Sequence, residues 1–205
     1  MLVVGLTGGI ASGKSAVLSI LEEMGARTID LDEMSRVVVE PGEPAWLDIV
    51  RHFPEGVVKP NGTLDREALG RIVFSDPQSR KTLEAFIHPR ILAEQDRILK
   101  EIEKTDSHAV VVIDAPLLIE FGLQEKMDAV VLVHIPRAMQ LERLIRRDGL
   151  SRLEAEARLE SQMPIDDKIP FADFVIDNSG DVEQTRRQAE KLMETLKDRE
   201  KRESL

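Results

Sequence analysis

Residues 8–15 read Gly8-Gly9-Ile10-Ala11-Ser12-Gly13-Lys14-Ser15 and match the pattern G-x-x-x-x-G-K-[S/T] in full. The apolar run Leu2 to Thr7 before them reads as a buried strand, and Lys14 to Met24 after them reads as a helix. A glycine-rich loop in that context folds tightly enough to turn its backbone N–H groups inward. The helix N-terminus behind it adds positive potential, so the loop is suited to hold phosphate. Lys14 can reach β- and γ-phosphates, and the Ser15 hydroxyl can serve magnesium. The pattern alone is common to ATPases, GTPases and kinases.

Four further runs read as strands: Arg27 to Asp30, Ala109 to Asp114, Ala129 to Ile135 and Phe174 to Asp177. Most are apolar without alternation, as strands covered on both faces should be. Helical patterns lie between them, including Met139 to Arg147. A capping-box start at Ser151-Arg152-Leu153-Glu154 opens a further helix, and a similar start at Asp181 to Gln184 opens the last one. This alternation predicts a three-layer α/β fold with a mostly parallel five-stranded sheet. Residues 40–104 break the rhythm. Turn signals at Pro41-Gly42, Pro54, Pro60-Asn61-Gly62 and Pro77 separate helical stretches at Pro44 to Phe53, Asp65 to Phe74 and Pro77 to Glu103. The expected division is a core of residues 1–39, 105–136 and 171–200, a helical insertion at 40–104, a mobile lid at 137–170 and a charged tail at 201–205.

Composition removes several classes of function. A net charge of -10, from 28 basic and 38 acidic residues, lacks the basic footprint of a nucleic-acid binder. Trp46, six Phe and no Tyr make a base-stacking platform a poor expectation. The absence of cysteine excludes disulfides and thiolate metal sites. No basic leader precedes Leu2, and no apolar run is long enough to span a membrane. The expectation is a cytoplasmic protein with no nucleic acid, no membrane and no obligate protein partner.

In a parallel sheet the ligand crevice lies at the C-terminal ends of the strands. The second strand ends in Thr28-Ile29-Asp30-Leu31-Asp32, so Asp30 or Asp32 can accept a hydroxyl proton, help position magnesium, or cap the next helix. Arg36, four residues after Asp32, can share its helix face. Asp114 ends the third strand and is a second candidate for the magnesium side; Pro116 to Ile119 offer an apolar wall beyond it. Arg143 and Arg147 project together from one helix, with Arg146 beside them, and guanidinium groups suit a transferring phosphoryl. His88-Pro89-Arg90 interrupts a helical pattern; His88 can serve a phosphate or cap a helix, and Pro89 can open or kink one. No N-K-x-D sequence of the GTPase kind occurs, which by analogy favours a kinase.

An ordered set of motifs makes the chain closely resemble the dephospho-CoA kinase family from about Leu2 to Leu196. They are Gly5-Leu6-Thr7-Gly8-Gly9, Ile29-Asp30-Leu31-Asp32 with Arg36, Val38-Val39-Glu40-Pro41-Gly42 and Asn61-Gly62-Thr63-Leu64-Asp65-Arg66. His88-Pro89, Pro116-Leu117-Leu118 with Glu120, Gln162-Met163-Pro164 with Lys168, and Ala172 to Gly180 complete it. The resemblance implies transfer of the ATP γ-phosphoryl to the ribose 3'-hydroxyl of dephospho-CoA, the last step of coenzyme A biosynthesis, with magnesium. It implies Asp32 as base, with Lys14 and Arg143 as the other catalytic groups. Gly8 to Ala16, Arg143, Arg147, Asn178 and Gly180 would hold ATP. Thr7, Asp32, Arg36, His88 and Pro116, Leu117 and Leu118 would hold dephospho-CoA. Ser15, with Asp32 or Asp114, would serve the metal. Ala11 stands where the family often has a second loop glycine, and Ala16 where it often has Thr. The competing expectations are another small-molecule kinase, acting on a nucleoside or nucleotide, and a non-catalytic nucleotide-binding module.

Overall fold

The computed structural model of the chain describes residues 1–54 and 56–203. Five strands, β1 (Leu2–Gly8), β2 (Arg27–Asp30), β3 (Val110–Asp114), β4 (Ala129–His134) and β5 (Phe174–Asp177), form one sheet in the order β2-β3-β1-β4-β5. β1 runs parallel to β3, with Leu6 opposite Asp114, and to β4, with Gly8 opposite Val133; β4 runs parallel to β5, with His134 opposite Asp177. Every residue of β3 is buried, which is why the sequence shows no alternation there. Gly5 in β1 lets Leu118 pack close: a Cβ there would stand 2.6 Å from Leu118 Cδ2.

The chain divides into two compact units. The first, Met1–Ile29 with Ile102–Leu205, contains α1 (Lys14–Glu23), α6 (Arg137–Asp148), α7 (Arg152–Glu160) and α8 (Val182–Glu203). Its core joins Leu2, Val4 and Leu6 of β1, Val17, Ile20 and Leu21 of α1, and Ala189, Leu192, Met193 and Leu196 of α8. The capping box at Ser151 and Glu154 starts α7 as the sequence spacing predicts. α8 continues through Lys201 to Glu203, the first part of the expected tail; Ser204 and Leu205 lie outside the described residues.

The second unit, Asp30–Glu101, holds α2 (Leu31–Val37), α3 (Pro44–His52), α4 (Arg66–Ser75) and most of α5 (Pro77–Thr105). It has its own core of Val38, Val39, Ala45, Ile49, Phe53, Val57, Leu64 and Leu69, with Trp46 and Phe86 against it. Val38 and Val39 belong to that core, so α2 joins the helical unit ahead of the residue-40 boundary read from the sequence. Pro89 lies inside α5 instead of opening a new helix. It is exposed, so the backbone bond it removes is on a side open to water.

Candidate active site

β1 delivers the chain to Gly8, and α1 begins at Lys14. Gly13 caps α1 in the left-handed region at φ 85°. A side chain there would be strained and would also clash with the Asn178 amide. That amide donates to the Ser12 carbonyl at 2.7 Å, while its oxygen accepts from the Thr185 hydroxyl at 2.7 Å. Arg143 donates to the Asn178 carbonyl at 2.9 Å, and its guanidinium lies beside Gly13. Ser12, Gly13, Arg143 and Asn178, separated by up to 166 residues in the chain, thus form one cluster. Among the described residues the buried Ser12 hydroxyl has no hydrogen-bond partner, and it leaves no room for a Cβ on Gly8.

Lys14 forms a salt bridge with Asp114, with side-chain exposures of 14% and 9%. Asp114 ends β3, so both groups stand at the C-terminal edge of the sheet, where α/β folds bind ligands. Ser15 and Ala16 are exposed on the first turn of α1. Magnesium takes one or two protein oxygens and fills the rest of its shell with phosphate and water. The Ser15 hydroxyl and the Asp114 carboxylate are donors of that kind, so the residues present fit such an ion.

The Thr7 hydroxyl donates to the Pro116 carbonyl at 3.1 Å. Pro116 and Leu117 are half-buried, whereas Leu118 is fully buried against Gly5 and serves the core. Arg147 turns to Asp148 at 2.7 and 3.1 Å instead of joining the Arg143 cluster. That hydrogen-bonded pair holds the Asp148 carboxyl below its ordinary range. Asp177, beside Asn178, is also held low, by the Ser179 hydroxyl and N–H. Gly180 is exposed just ahead of α8.

In the helical unit the structure separates two carboxylates that the residue pattern alone offered as alternatives. Asp30 caps α2, its side chain accepting from the N–H groups of Asp32 and Glu33 at 2.8 and 3.0 Å. Among the described residues no side-chain hydrogen bond or ion pair engages the exposed Asp32 carboxylate. Arg36 follows on the last turn of α2, exposed. His88 is half-buried inside α5.

The family profile described as dephospho-CoA kinase matches residues 2–184. The chain belongs to the dephospho-CoA kinase family. It is 46% identical to the dephospho-CoA kinase of Anaeromyxobacter dehalogenans over 198 residues, which make up 96% of this chain and 93% of that protein. The crystal structure of TT1252 from Thermus thermophilus is similar at a TM-score of 0.81 and 36% identity, covering 95% of this chain and 96% of that one. Dephospho-CoA kinase from Campylobacter jejuni is similar at 0.72 and 28%, covering 96% and 97%.

Sequence reasoning missed a set of contacts around this family's phosphate loop. Gln140, buried on α6, donates to the Ile10 carbonyl at 2.9 Å, and Gln162 accepts from the Ile10 N–H at 2.9 Å. Lys168, fully buried, donates to the Pro116 carbonyl at 3.0 Å and pairs with Glu120 at 2.8 Å. The motif Gln162-Met163-Pro164 with Lys168 was visible in the sequence, but nothing in its spacing indicates what it touches.

Ala11 is the non-glycine residue with positive φ among the described residues, at 60°. Ala in that region costs about 1–2 kcal/mol. Glycine would relieve the strain but lose about 0.5–1 kcal/mol of unfolded-chain entropy. Ala11→Gly is therefore expected to raise the thermal midpoint by about 2 °C. Differential scanning calorimetry checks this, and a lower midpoint would mean that the Ala11 methyl contributes more by packing than its backbone costs.

Proposed function

We propose that the protein transfers the γ-phosphoryl group of ATP to the ribose 3'-hydroxyl of dephospho-CoA, giving coenzyme A and ADP. The family match over most of the chain carries this reading. The phosphate loop and the groups converging on it supply the matching chemistry. Lys14 leaves Asp114 for the β- and γ-phosphates and offsets the charge that develops on them. Arg143, already against Gly13, bears on the same phosphates, and Asn178 and Gly180 border the adenine. Ser15 and Asp114 would hold magnesium, which when bound neutralises phosphate charge.

Asp32 accepts the proton of the acceptor hydroxyl as that oxygen bonds to the γ-phosphorus. The bond from phosphorus to the bridging oxygen breaks, and ADP leaves with the electron pair. Within the helical unit, Arg36 and His88 hold the acceptor, as the family resemblance implies. Positioning and charge stabilisation carry most of the rate, because phosphoryl transfer demands little covalent work of the protein. The same proposal places the activity in the cytoplasm. No described helix is long and apolar enough to cross a membrane.

The acceptor is tested by incubating the protein with magnesium-ATP and dephospho-CoA, adenosine, AMP or pantothenate, and identifying products by mass. Coenzyme A is the expected product, formed in clear preference to any other. Preferred phosphorylation of adenosine or AMP would point to a nucleoside or nucleotide kinase. No product from any acceptor would favour a binding module.

A further inference from the structure

Three successive residues of the phosphate loop are gripped by the segment 137–170. Gly9 lies against Gln140 and Ile165, so closely that a Cβ would collide with the Gln140 amide. Ile10 has both main-chain groups taken by glutamine side chains: Gln140, near the start of α6, binds its carbonyl, and Gln162, beyond α7, binds its N–H. Ala11 packs with Ile10 against Leu144, Ala155 and Leu159 of α6 and α7. The left-handed turn at Ala11 is therefore flanked by contacts from both ends of one segment. A strained backbone persists only where its surroundings over-determine it.

Gln162 is itself firmly seated. The N–H of the next residue, Met163, donates to Glu120 at 3.2 Å, and Glu120 is paired with the buried Lys168. Lys168 donates to the Pro116 carbonyl and to Glu120 Oε2, and its ammonium also lies 2.8 Å from Glu120 Oε1. The Pro116 carbonyl also accepts from Thr7, on the strand that enters the phosphate loop. A buried ion pair adds little net stability compared with apolar packing, but it fixes geometry where its hydrogen bonds are complete.

We propose that Gln162 is a positioning residue. Its amide oxygen latches the 137–170 segment to Ile10 and holds the Ala11 turn in shape, so that segment and phosphate loop move as one element. During turnover the latch keeps water from the γ-phosphoryl until the acceptor is in place. This last consequence rests on the kinase reading; the latch itself does not.

The test compares the parent protein with Gln162→Met, which preserves length and removes the acceptor oxygen. In the ligand-free protein, amide exchange at Ile10 should quicken by about 10-fold, roughly the worth of one net hydrogen bond. With saturating magnesium-ATP and dephospho-CoA, the ratio of ADP to coenzyme A should rise from about one to at least about three as water competes for the phosphoryl group. The thermal midpoint should stay within about 4 °C of the parent. Loss of stability alone would not move the product ratio. Unchanged Ile10 exchange, or faster exchange with an unchanged ratio, overturns the proposal. A parent protein that phosphorylates no acceptor defeats the kinase reading, and the exchange comparison then decides the latch alone.

Discussion

Lys14→Ala should reduce phosphoryl transfer by on the order of 10³-fold, the upper range for removing one preorganised charge stabiliser. Lys14 stands at the first residue of α1, at the mouth of the phosphate loop, with its ammonium on Asp114. The variant has a second effect. Removing the ammonium takes away the countercharge of a buried carboxylate, which can cost up to about 3 kcal/mol. Reduced activity by itself would therefore be ambiguous. The double variant Lys14→Ala with Asp114→Asn removes both charges and should recover most of the thermal stability. It should recover none of the transfer. Turnover and thermal midpoint measured on the single and double variants separate the two effects. A folded double variant with near-parental turnover would exclude Lys14 from the chemistry.

The scaffold of this site was legible because its signals are local. β1 and β3 are covered on both faces, so they appear as unbroken apolar runs, and the loop pattern sits between a strand and a helix where it has a mechanism. The box at Ser151 and Glu154 is a three-residue signal that needs no tertiary information. Pro89 was harder. Proline inside a helix is usually costly, but an exposed position in the 29-residue α5 tolerates it, and exposure cannot be read from the residue itself. The contacts of Gln140, Gln162 and Asn178 with the phosphate loop were not legible at all. Each joins a side chain to a main-chain group more than 100 residues away, and such contacts leave no periodicity. Asp30 and Asp32 were indistinguishable as letters. The extended backbone at Asp30, φ -92° and ψ 109°, makes it the cap and assigns its oxygen to two N–H groups.

That assignment sharpens what Asp32→Asn should do. If the Asp32 carboxylate takes the proton from the acceptor hydroxyl, the amide should lower the transfer rate by on the order of 10²- to 10⁴-fold. The KM for ATP should change by less than about threefold, because an interaction made only in the transition state lowers kcat without loosening the ground state. The capping explanation, open while only the sequence was considered, is removed: Asp30 already supplies the cap. Asp30→Asn is the matched control. Asparagine caps nearly as well as aspartate, so α2 should persist and the rate should stay within about threefold of the parent. A metal role is separable too. If Asp32 chiefly held magnesium, raising the metal concentration would recover much of the lost rate; if it accepts the proton, saturating metal leaves the deficit in place. Single-turnover transfer at saturating ATP, acceptor and magnesium makes the comparison free of product release. A rate for Asp32→Asn within about threefold of the parent would rule out general-base catalysis by this residue, since that role is worth far more.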